Sequence, residues 1–220
     1  MKRFTFALTL AATLAMPGCL QKDTTSTICL RPDGSFDWIV LEQNVRSDES
    51  DQAARLKEEA GYADTVARGE LGTVGGFLAL GGEDVRVRWL RSSRPYAVMI
   101  DARFGSLSRM FDRLLLPCGI PYQSEITTSE GVTTWTLRAD VGVDGERLEA
   151  AAQEGADACG QDVAGLSDAL DELRIVLESG DFTAATGFTL QGTTEAVIDE
   201  KALEEAVKTT GVVDLSLSWR

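Results

Sequence analysis

The chain has no histidine. That removes the Ser-His-Asp and Cys-His catalytic arrangements and most zinc hydrolase sites, all of which use imidazole as base or ligand. Catalysis by a Ser-Lys pair or by two carboxylates survives. With 35 Asp and Glu residues, however, finding two carboxylates identifies nothing. Basic residues are few, 21 against those 35, so phosphate-rich nucleic acid is repelled and broad adhesion to anionic lipid is disfavoured. Aromatics are scarce at 7%, and Trp38, Trp89, Trp135 and Trp219 all sit on apolar faces of strand-like segments. They read as core, which leaves no exposed aromatic platform for a carbohydrate. No apolar run is long enough to cross a bilayer. Phe4–Met16 is 13 residues, short of the roughly 20 that a spanning helix needs. No C-x-x-C spacing exists, and Gly72-Thr73-Val74-Gly75-Gly76 follows a helical pattern without Gly-Lys-Ser/Thr. Asp140–Gly145 starts like a calcium loop, but Gly142 and Ala151 stand where ligands are needed. No metal and no cofactor are expected.

The N-terminus carries the sharpest positive signal. Lys2 and Arg3 precede the apolar run, and Met16-Pro17-Gly18-Cys19 follows it. A basic start, a short apolar core and small residues before a cut site make a secretory signal peptide. A cysteine directly after the cut resembles the lipobox of bacterial lipoproteins, with departures at Met16 and Pro17, where Leu and a small residue are usual. The resemblance covers residues 1–19 alone. It implies a diacylglyceryl group on the Cys19 thiol and a further acyl chain, such as palmitate, on the new amino terminus. Two or three chains at about 0.8 kcal/mol per buried methylene hold a protein firmly on a membrane. Leu20 follows, where Asp would favour inner-membrane retention, so the resemblance points to the outer membrane in a Gram-negative source. The expected organisation is a signal peptide over 1–18, a lipidated polar tether over 19–27 and one α+β domain over 28–220. The mature chain carries 19 basic and 35 acidic side chains, which reads as solubility.

Three cysteines remain beyond Cys19. An envelope location permits disulfides, and three thiols allow one bridge in three pairings. Cys118 and Cys159 lie at the ends of expected elements, which favours that pairing. Cys29 falls inside an apolar strand and reads as a buried thiol.

Periodicity supplies the elements. Ile28–Leu30 and Phe36–Leu41 flank Arg31-Pro32-Asp33-Gly34-Ser35 as a hairpin. Residues 48–68 read as a helix burying Ala53, Leu56, Ala60, Ala63 and Ala67. Val85, Val87 and Trp89 alternate with Arg86 and Arg88, and Tyr96–Ile100 suits a central strand. Ser106 caps a short helix stopped by Pro117. Gln123–Thr128 and Thr133–Val141 form a second hairpin. Helices are expected over 146–157 and 164–178, and strands over 182–190 and 194–198. Asp199 caps another helix that stops at Gly211. Alternation over 213–219 closes the chain in a strand. The sum is α+β: a mainly antiparallel sheet with helices packed on one face.

Arg86 and Arg88, on one strand face, are the positive cluster able to receive an anionic ligand or an acidic partner. The competing expectation is internal pairing with Asp or Glu. Function is expected to be non-enzymatic: an envelope lipoprotein that binds or scaffolds another component. The alternatives are a carrier holding a lipid between sheet and helices, and a histidine-free carboxylate hydrolase of the cell wall. Partners are expected to be the membrane, through the anchor, and an envelope protein or lipid.

Overall fold

The structure is a computed structural model that describes residues 20–117, 119–147 and 173–220. The chain runs β1 (Leu20–Leu30), β2 (Phe36–Ser47), α1 (Gln52–Arg68), α2 (Gly72–Ala79), β3 (Glu83–Arg91), β4 (Tyr96–Phe104), α3 (Leu107–Leu115), β5 (Tyr122–Ser129) and β6 (Val132–Asp140). After a 3-10 turn at Val143–Gly145 come β7 (Arg174–Leu177), β8 (Phe182–Thr186), β9 (Phe188–Gln191), β10 (Glu195–Ile198), α4 (Glu200–Thr210) and β11 (Val212–Trp219). Signal peptide, Cys19, Cys118, Cys159 and the 146–157 helix lie outside the described residues, except for Glu146 and Arg147.

The fold is α+β with two mostly antiparallel sheets, not one. The large sheet has the order β3-β4-β2-β1-β7-β10-β9 and the small sheet β5-β6-β11-β8. Among the described pairings only β1 with β7 is parallel. Alternation puts Phe36, Trp38 and Val40 of β2 opposite Phe104, Ala102 and Ile100 of β4 on one buried face. Helices α1 and α2 cover that face. Phe77 meets Trp38 at 5.2 Å and Phe104 edge-on at 5.8 Å, while Phe36 stacks on Phe104 at 4.9 Å. Burying each such ring stabilises the fold by about 1.5–3 kcal/mol. The small sheet turns Trp135, Leu137, Leu215 and Leu217 inward, and Phe111 of α3 stacks on Trp135 at 5.4 Å.

The small sheet packs at one end of the large one. Trp219 Nε1 donates to the Pro32 carbonyl at 3.2 Å, in the turn joining β1 to β2. A Cβ at Gly34, in that same turn, would lie 3.2 Å from Ile126 of β5. The opposite end of the large sheet holds Leu20 opposite Ser47, Val45 opposite Tyr96, and Arg91 opposite Ala97.

Several expectations change. The expected tether is strand: Leu20–Thr27 pairs with β2, with a break in register at Lys22. Its inward positions carry polar side chains, so no apolar alternation shows. Ser26 is fully buried and accepts from Trp38 Nε1 at 2.7 Å. The last residues of the expected 164–178 helix are strand β7, where Ile175 and Leu177 face the core beside β1. Leu170, Leu173 and Leu177 fit helical spacing, but Leu173, Ile175 and Leu177 fit a two-residue period equally well. Residues 164–172 lie outside the described residues. Helix α1 buries Glu59, Tyr62 and Val66 in place of the alanine stripe. The glycine-rich stretch after it is helix α2, which buries Thr73, Gly76 and Phe77. The strand expected over 182–190 splits at Gly187 (φ 72°) into β8 and β9, which belong to different sheets. The caps at Ser106, Asp199 and Gly211 form as expected, with Ser106 Oγ accepting from Arg109 N at 3.2 Å.

Candidate functional site

The outer face of the small sheet follows from the same alternation that buries its tryptophans. With Trp135 and Leu137 inward, Thr134, Thr136 and Arg138 point outward, and with Leu215 and Leu217 inward, Asp214, Ser216 and Ser218 do so. Register then builds rows across the strands. Glu125, Thr136, Ser216 and Thr186 form one row, and Gln123, Arg138 and Asp214 the next. Their side chains line a trough of about 530 Å³. Arg138 and Asp214 approach at 3.4 Å, and Thr134 Oγ1 meets Ser218 Oγ at 2.9 Å. The side chains of Gln123, Glu125, Thr136, Thr186 and Ser216 form no hydrogen bond with another described residue. The trough therefore offers hydroxyls, an amide, two carboxylates and a guanidinium to a polar ligand. No lysine lines it, so it holds no Ser-Lys pair.

Arg86 and Arg88 are brought together, on a carboxylate of their own protein. Arg86 donates from Nε and an outer nitrogen to Asp101 Oδ2 at 2.9 and 2.6 Å, and Arg88 donates to Oδ1 at 2.7 Å. Asp101 is only 4% exposed, whereas both arginines stand largely in solvent. The internal pairing weighed against a ligand site is thus present, and two cations on one anion leave a net positive charge. On the helix-covered face, Glu42 is 2% exposed and binds Lys22 Nζ at 2.8 Å and the Tyr62 hydroxyl at 2.7 Å. Glu59 of α1, also buried, binds Arg94 at 2.8 Å. Both carboxylates are committed to structural pairs.

Cys29 is a free, half-buried thiol, and burial, then Asp37 and Glu178, push its pKa up, which makes it a poor nucleophile. Among the described residues no group of three or more His, Cys, Asp or Glu is placed to hold a metal ion, and no helix is long and apolar enough to cross a membrane.

Sequence reasoning missed the trough, although its signal was legible: the outward half of the β6 and β11 alternation is Thr, Ser, Arg and Asp. It also missed Glu42, Glu59 and Asp101. Each is buried by partners from another segment, which spacing along the chain does not reveal.

No family model matches the chain, and no curated protein matches it. Among solved structures it is similar to the folded domain of the Mycobacterium tuberculosis LppM protein, at 10% identity over 94% of each chain with a TM-score of 0.35. A likeness that slight assigns neither fold nor role.

Proposed function

We propose that the protein is a lipid-anchored envelope domain that holds a polar partner in the trough of its small sheet, without catalysing a reaction. The observation that carries this reading is the opposition of the two ends. Cys19, the anchor in the lipoprotein resemblance, directly precedes strand β1. The small sheet packs at the far end of that strand. Eleven residues of strand extend about 35 Å, so the small sheet and its trough stand well clear of the anchored residue. The histidine-free composition and the committed carboxylates at Glu42, Glu59 and Asp101 support a binding role over a hydrolytic one. An envelope location, at the outer membrane of a Gram-negative source, follows from the same reading of Cys19 and Leu20. A lipid carrier needs an enclosed apolar cavity, yet Trp38, Phe77 and Phe104 fill the space between the large sheet and α2.

Native mass spectrometry of the mature protein, gently extracted from its own envelope, tests this. Acyl mass on Cys19 is expected, together with a second component that is lost in Arg138→Glu and kept in a Leu78→Ser control. A component that survives Arg138→Glu, or none at all, overturns the trough as the binding site.

A further inference from the structure

We infer that the tip of the β3–β4 hairpin is a second membrane contact, resting on phospholipid headgroups beside the Cys19 anchor. The inference rests on the reading of Cys19 as acylated. Four strand ends share the Leu20 end of the large sheet, in the lateral order β1, β2, β4, β3. Three strand spacings separate β1 from β3, which is about 14 Å. Cys19 is one residue from Leu20, so no more than about 3.8 Å of backbone separates the anchored residue from the sheet. Anchoring there leaves the end of the sheet no room to stand off from the bilayer.

The hairpin tip is built for a surface with both apolar and charged layers. Trp89 pairs with Val98 and Arg91 with Ala97, so Leu90 is the extra residue of a bulge. A bulge re-aims a side chain, and Leu90 is turned out to 54% exposure. Residues 91–95 are all exposed. Arg91 has no carboxylate partner among the described residues; its Nε donates to the Pro95 carbonyl. Arg46, opposite Gln21 and next to the anchor, is likewise exposed and without a carboxylate partner among the described residues. An exposed leucine beside a polar turn, with Arg91 next to it and Arg46 two strands away, neither paired with a carboxylate among the described residues, matches the layer where acyl chains meet phosphate. The acidic Asp48, Glu49 and Asp51 follow Ser47 at this same end, in the loop that leads to α1, so the favourable contact is confined to the β3–β4 tip and Arg46. The contact needs little affinity of its own, because the anchor converts it into an intramolecular event. The soluble domain is therefore expected not to bind vesicles.

Hydrogen exchange read by mass spectrometry tests the contact on the acylated protein in vesicles of phosphatidylethanolamine and phosphatidylglycerol. The comparison is the Cys19→Ala protein with the same vesicles. Several-fold slower exchange is expected at Ser92 and Ser93 in the acylated protein, with the turn at 31–35 unchanged. Acylated Leu90→Ser is expected to lose that slowing while its melting temperature stays the same. Acyl mass on Cys19 with equal exchange in the two proteins overturns the contact and leaves the anchor standing. Absence of acyl mass overturns the anchor and the contact with it. Equal slowing at 31–35 overturns the contact as well, since it would report aggregation.

Discussion

Tyr62 shows what a single buried hydroxyl does in this protein. Its O–H donates to Glu42, which Lys22 neutralises from the other side. Burial first, then the Glu42 charge and that hydrogen bond, push the phenol well above its ordinary value. An unfolded tyrosine ionises near pH 10. Above that pH the unfolded chain gives up a proton that the folded chain keeps, so alkali favours unfolding. The Tyr62 contribution is fully present below about pH 10 and is lost as pH rises past it. Urea midpoints taken between about pH 9 and 11 are expected to fall, and to fall less steeply in Tyr62→Phe. The same slope in both proteins would remove Tyr62 as the responsible group. Ser26 is the apolar-core counterpart: its hydroxyl satisfies the Trp38 indole, and Ser26→Ala should cost about 1–3 kcal/mol in a urea titration by orphaning that donor. No measurable loss would mean that the indole finds another acceptor.

At the scale of elements, β3 is held to β4 by side chains as well as by its ladder. Arg86 and Arg88 share the buried Asp101, so either can neutralise it alone. Each single change to Gln is expected to cost about 1 kcal/mol or less, as for other exposed arginines. The double change strands a buried carboxylate and should approach about 3–5 kcal/mol. A double-mutant cycle measures this, and additive costs would contradict the shared pairing. It follows that reversing both arginines to Glu is a poor probe of ligand binding, because it strips Asp101 of both partners. What could be read beforehand divides along the same physical line. β2, β11 and the helix caps were legible because their signals are local: a two-residue period, or a Ser or Asp before a helix. The first eight residues of β1 were not, because the inward Ser26 looks like a surface residue until Trp38 is placed over it, whereas Ile28–Leu30 was read as strand. Nor was α2, whose glycines signal a break until Phe77 is set against Trp38 and Phe104. Leu173–Leu177 satisfied both a helical and a strand period, and pairing with β1 decided between them. Of the trough, only one row of side chains could be seen from each strand. The rows became a concavity once the register of β5, β6, β11 and β8 was known.

The whole molecule is two sheets that share contacts at one end. The chain passes between them repeatedly, most tightly from β8 to β9 across the single residue Gly187, and Trp219 of the small sheet bonds the turn of the large one. A Cβ at Gly187 would stand 2.4 Å from Leu215, so the crossing is close-packed as well as short. The two sheets are therefore expected to unfold together. Trp38 and Trp89 report the large sheet, and Trp135 and Trp219 the small one. Urea transitions followed in variants that keep one pair or the other should coincide, and separate midpoints would divide the protein into two units. The placement of β1 has a mechanical consequence. The strand lies inside the large sheet, bonded to β2 along its length and to β7 over Thr27–Leu30. A pull at Leu20 that is resisted at the small sheet runs along the strand axis, while the ladder bonds stand perpendicular to it. Such a force shears the rungs together and cannot peel them one by one, so the protein is toughest in the direction in which a tethered molecule is tugged.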